Sequence, residues 1–164
     1  MFRRLFPVLM IILFLIVDTS VIPVITTGWI YPLMAYTAVL TFALLLGRTR
    51  GALYGIIGGL LLDTTASLPF GLMTVFYALG AFTAGLAGRK LRRSILSTVL
   101  APMFCLTVFE AAMLGYSALA GSDFYPAQLG RAGIRILINT ALVQVEYILF
   151  SFVCRPRNAR YETR

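Results

Sequence analysis

Apolar residues run in long blocks along this chain, and short polar breaks separate them. Six blocks can be drawn, at 5–25, 30–47, 51–68, 70–88, 94–120 and 129–154. Each can cross a hydrocarbon core of roughly 30 Å, some barely and the last two with length to spare. Each is read as a helix, because an open strand cannot satisfy its backbone polar groups in lipid. The third and fourth are joined so closely that they form a hairpin. The predicted fold is therefore all-α, a polytopic membrane protein with six transmembrane helices in one integral membrane domain, 1–164. The first block follows a basic start and precedes no A-x-A-like cleavage site, so it is expected to be retained as the first span.

Composition agrees with the pattern. Of the 164 residues, 60% are hydrophobic and 12% charged, and the mean hydropathy is +0.91. A soluble domain of this length could not hide so much apolar surface. The net charge of +8 would raise nucleic-acid binding in a soluble protein, but the chain has no basic face or recognised binding module. Its basic residues instead punctuate the spans. Arg3 and Arg4 precede the first block, Arg48 and Arg50 part the second from the third, and Arg89, Lys90, Arg92 and Arg93 part the fourth from the fifth. Arg155, Arg157, Arg160 and Arg164 end the chain, so twelve of the 14 Lys and Arg lie on alternate connections. The positive-inside rule then predicts cytoplasmic termini. Trp29, Tyr31, Phe124 and Tyr125 fall where an outer aromatic belt is expected.

The densest local signal lies between Gly47 and Gly71. Gly51, Gly55 and Gly59 recur four apart, Gly58 sits beside the last, Asp63 comes one more step of four along, and Pro69 and Gly71 then break the chain. Small residues at this spacing let helix backbones approach closely in lipid. The ridge is expected to organise the molecule, either by packing inside the hairpin or by receiving a partner's helix. Gly80, Ala84 and Gly88 repeat the spacing in the fourth block, where packing against the third helix is the expectation.

Six charged residues fall within the blocks: Asp18, Asp63, Glu110, Arg131, Arg135 and Glu146. At 1.5 Å per residue, Asp18, Asp63 and Glu110 lie about 20, 18 and 24 Å from the cytoplasmic side, and Arg135 about 9 Å from the outer end. Asp18, Asp63, Glu110, Arg131 and Arg135 thus form an expected outer polar cluster. Glu146 lies nearer the cytoplasmic side, within reach of the arginine tail. Charges in hydrocarbon are costly, so these groups are expected to pair across helices or to line a polar recess open to the outside.

Nothing points to catalysis. Histidine is absent, which removes the commonest general base and metal ligand. Cys105 and Cys154 lack metal or redox spacing and read as small core hydrophobes. No nucleophile–base pair, phosphate loop or metal cluster is present, so no enzyme activity, cofactor or metal is predicted.

The central hairpin, GALYGIIGGLLLDTTASLPFGLMTVFYALGAFTAG, resembles that of the bacterial rod shape-determining protein family MreD, at Gly58, Leu60, Leu61, Asp63, Pro69 and Gly71. The last helix, with Arg135 and Asn139 in RILINTALVQ, is also similar. The resemblance implies a non-enzymatic inner-membrane scaffold of the cell-elongation complex, surrounded by membrane lipids. It further implies direct binding of MreC and links to MreB, RodA and penicillin-binding protein 2 in peptidoglycan synthesis. It also implies a fold like the substrate-binding subunits of energy-coupling-factor transporters. The competing expectation is such a subunit itself, with a small vitamin-type ligand near Asp63 and Arg135. Those subunits commonly carry an A-x-x-x-A face on the first helix, and LFPVLMIILFLIVDTSVI has no alanine. An isoprenoid-phosphate site at the outer arginines is a third possibility, without a sequence signature.

Overall fold

A computed structural model describes residues 2–25, 32–65, 69–90, 95–121 and 126–154. Arg92, Arg93, Trp29, Tyr31, Phe124, Tyr125 and the arginine tail lie outside the described residues, as do the side chains of Arg3, Arg4, Arg89, Lys90 and Cys154. Among the described residues every regular element is helical. Helix α1 (Phe2–Ile16) runs through a π-helical turn (Val17–Val21) into a short α2 (Ile22–Ile25). Then come α3 (Met34–Leu46), α4 (Arg48–Asp63), α5 (Leu72–Lys90), α6 (Ile95–Leu119) and α7 (Pro126–Cys154).

The centre of the molecule is α3, not the glycine-rich stretch. All nine residues from Ala35 to Ala43 are buried, and α1, α4, α5, α6 and α7 pack around them. Phe42 stacks on Phe150 of α7 at 4.7 Å, and Tyr36 lies 4.6 Å from Tyr77 of α5 and 5.0 Å from Phe109 of α6, ring centre to ring centre. A helix apolar all round sits inside a bundle as readily as in lipid, which is why hydropathy alone does not mark α3 as central. Pro7, Ile11 and Leu15 form the inner stripe of α1, while Leu5, Leu9, Ile12 and Ile16 face outward.

The glycine ridge of α4 is filled from within. A Cβ at Gly55 would overlap the backbone of Tyr77, one at Gly59 that of Thr74, and one at Gly51 would overlap Ala43. Gly58 faces Ile11, Val39 and Tyr77. Close approach of α4 to α5 and α3 therefore requires glycine at positions 51, 55 and 59, where dispersion between the backbones replaces side-chain packing. The outer face of α4 carries Leu53, Ile56, Ile57, Leu60 and Leu61, all exposed. The second small-residue row was expected to meet α4, but it serves α3. A Cβ at Gly80 would strike the Tyr36 hydroxyl, and one at Gly88 would press on Leu44.

Boundaries differ from the sequence expectation where side chains cap helices. The third block was drawn to 68, but α4 ends at Asp63. Arg48 and Arg50 belong to the first turn of α4, and Gly47 alone, at φ 90°, separates it from α3. Three helical stretches are long and apolar enough to cross a membrane: Leu5–Val24, Thr98–Leu119 and Ala127–Val153. Met34–Leu46 and Leu72–Gly88 are shorter apolar helices.

Candidate functional site

The polar residues inside the bundle fall into separate arrangements, most of them helix caps. The π-helical turn after α1, closed by the Ile22 N–H on the Val17 carbonyl, carries Asp18. Its carboxylate accepts the backbone N–H groups of Met34 at 3.1 Å and Ala35 at 2.8 Å. The Leu33 N–H reaches Asn139 Oδ1 at 2.8 Å. Two side chains from distant helices thus satisfy the start of α3, whose first N–H groups have no partner inside the helix.

Asp63 does the same for α5. Its carboxylate accepts N–H groups from Gly71, Met73 and Thr74, each at 3.0 Å, and the Thr74 hydroxyl at 2.5 Å. It is buried. An acidic N-cap satisfies orphan donors and favours the positive end of the helix dipole. Asp63 therefore spends its hydrogen-bonding capacity on the hairpin link, and its partner is not Arg135.

Arg135 of α7 pairs with Glu110 of α6 at 2.6 Å. Of the five residues expected to form one outer cluster, these two are brought together; Asp18 and Asp63 cap separate helices. Arg131 is exposed and lines a hollow of about 550 Å³ with Ala127, Gly130 and Ile134. A Cβ added to Gly130 or Gly133 would meet nothing within 4 Å, so no neighbouring described residue covers this end of α7 there.

Arg131, Arg135 and Asn139 follow at successive turns of α7, and burial deepens along them. Arg131 is exposed, Arg135 intermediate and Asn139 wholly buried. Arg135 Nε and Asn139 Nδ2 are buried side-chain nitrogens without a hydrogen-bond partner among the described residues. Such donors are uncommon in folded proteins and costly to leave unmade. The Tyr36, Tyr77, Phe109 and Phe76 rings form one aromatic set at this level, with Phe109 next to Glu110 in the chain.

Sequence reasoning missed two parts of this arrangement. Asn139 stood out only as part of the last helix, although its spacing of four from Arg135 puts both on one face. Glu146 was expected near the arginine tail; it is buried and accepts the hydroxyls of Thr37 at 3.0 Å and Thr41 at 3.2 Å. The matching signal was Thr37 and Thr41, themselves four apart in an otherwise apolar helix.

The sequence profile of the family described as ECF-type riboflavin transporter, S component, matches residues 6–146. No curated protein and no solved structure matches the chain. The family match overturns the resemblance to MreD and, with it, the cell-shape scaffold. MreC, MreB, RodA and penicillin-binding protein 2 fall as partners for the same reason, and the elongation and peptidoglycan roles with them. Physically, the glycine ridge offered to an MreC helix is already occupied by α5 and α3. The missing alanines of the first helix do not exclude the transport class, since the match runs through that helix. The chain is a multi-pass protein of the inner membrane and not an enzyme. By a match over most of its length, it belongs to the family of ECF-type riboflavin transporter S components.

Proposed function

We propose that this chain is the substrate-capturing membrane subunit of an energy-coupling-factor transporter, and that it takes riboflavin or a close flavin from outside. The observation that carries the reading is the family match over 6–146. The buried, unpaired side-chain nitrogens of Arg135 and Asn139, one and two turns along α7 from Arg131, support it. Its expected partner is an energy-coupling module of ATPases and a transmembrane component, since capture by itself supplies no work for uptake. In this reading the whole of 1–164 is one membrane domain, all six helices cross, and both termini face the cytoplasm. The distribution of Lys and Arg over alternate connections supports that orientation. Gly51, Gly55, Gly58, Gly59, Pro69 and Gly71 act in helix packing. Asp18 and Asp63 fix helix ends around the site, and Glu110, Arg131 and Arg135 belong to its polar wall.

The test is a riboflavin titration of the full chain purified in mild detergent, read as quenching of flavin fluorescence. Saturable binding at one flavin per chain is expected. A well-folded preparation that neither binds riboflavin nor retains a flavin through purification would overturn the assignment.

A further inference from the structure

Pro102 stands inside α6 and is buried. Proline has no N–H, so the Thr98 carbonyl, one turn earlier, loses the donor that an uninterrupted helix would give it. The replacement comes from another helix: Gln144 Nε2 of α7 donates to that carbonyl at 2.8 Å. We propose that Pro102 is a hinge in α6, that residues 95–101 form a short arm on it, and that Gln144 is the clasp holding this arm against α7. The proposal is independent of which ligand the chain carries.

The two sides of the hinge are held very differently. From Pro102 onward α6 is fixed to the bundle. Pro102, Cys105, Leu106, Phe109 and Glu110 are all buried, at the three-and-four spacing of one helix face. Cys105 Sγ lies 3.2 Å from Thr83 Oγ of α5, the Phe109 ring lies 5.0 Å from that of Tyr36 in α3, and Glu110 pairs with Arg135 of α7. Before Pro102 the hold is slight. None of residues 98–101 is buried: Leu100 is exposed, and Thr98, Val99 and Ala101 are intermediate. Within that stretch the hydrogen bond to another helix is the one from Gln144.

The position of the gap also makes the clasp releasable. The part of α6 that is apolar enough to cross a membrane begins at Thr98, so the freed carbonyl lies at the edge of the apolar layer. Deep in hydrocarbon an unmet carbonyl would have no second partner. At the edge, water can take the place of the amide. With the arm closed the carbonyl is met by Gln144, and with the arm open by water. The two states then differ by little more than one exchanged hydrogen bond, whose net worth is small.

The experiment measures distances between spin labels in the full chain, purified in detergent with Cys105→Ala and Cys154→Ala. One pair, Leu100→Cys with Leu137→Cys, spans from the arm to α7. A control pair, Val108→Cys with Leu137→Cys, lies beyond the hinge, and all three positions are exposed. Gln144→Leu keeps the bulk and removes the donor. It is expected to lengthen and broaden the arm distance while leaving the control distance as it was. In a Pro102→Ala background the same substitution is expected to change neither, because a backbone N–H now meets the Thr98 carbonyl. An arm distance unmoved by Gln144→Leu overturns the clasp. Equal broadening of both pairs overturns the hinge, since the whole helix has then loosened. Broadening that persists with Pro102→Ala shows that Gln144 does not act through the proline gap, and it overturns the proposal as well. Should Gln144→Leu fail to fold, Gln144→Asn, whose amide falls one carbon short of Thr98, takes its place under the same criteria.

Discussion

Each carboxylate among the described residues is explained by the donors it faces, and Asp63 is the clearest case. It ends α4 and accepts three backbone N–H groups and one hydroxyl from the start of α5. Asp63 is buried, so water does not readily take its place under those N–H groups. Asp63→Ala leaves them unpaired, and a lost cap costs about 0.5–2 kcal/mol even with solvent nearby. The variant is therefore expected to melt well below wild type in detergent, with Asp63→Asn between the two because one side-chain oxygen remains. An Asp63→Ala protein as heat-resistant as wild type would show that the cap is dispensable. From sequence, Asp63 was legible as a costly residue needing a partner. Its partner was not, because backbone N–H groups leave no mark in the sequence; only the hairpin geometry brings Gly71, Met73 and Thr74 back to it.

At the scale of helices, the glycines of α4 were readable as a close-packing surface, and their spacing gave the right chemistry. The identity of the opposing surface was beyond the sequence, since an internal helix and a foreign one would select the same residues. Gly55 and Gly59 lie against the backbone of α5, so larger side chains must part the two helices rather than block a visitor. Gly59→Leu or Gly55→Leu is expected to reduce recovery of folded, monodisperse protein even when the chain is produced alone. Leu53→Ala or Ile57→Ala, on the outward face, should change stability by little. Normal recovery and melting of the leucine variants would contradict an internal role. The same ambiguity hid α3. Its apolar residues look like any span, and only Thr37 and Thr41, which reach Glu146 across the bundle, distinguish a helix enclosed by others.

For the molecule as a whole, the question physics leaves most exposed is whether α4 crosses the bilayer. Its 16 residues rise about 24 Å, short of a hydrocarbon core of roughly 30 Å. Its glycines also lower its hydropathy, so length and composition mark other helices before it. Yet α4 has little exposed backbone to solvate where it meets α5 and α3, and it begins with Arg48 and Arg50. Long cationic side chains at a helix end can snorkel to the interface while their stems stay in the apolar layer, and the bilayer can thin locally at modest cost. In the orientation proposed above, a crossing α4 puts exposed Thr49 on the cytoplasmic side and exposed Thr65 outside, with Ala120 outside at the end of α6. Single cysteines at these positions, in a chain lacking Cys105 and Cys154, report this directly. Thr65→Cys and Ala120→Cys are expected to react with a membrane-impermeant maleimide in intact cells, and Thr49→Cys only after lysis. Labelling of Thr49→Cys and Thr65→Cys from the same side would mean that α4 does not cross. The outer placement of Asp63 and of the α5 cap would then be wrong, although the hydrogen bonds within that cap would stand.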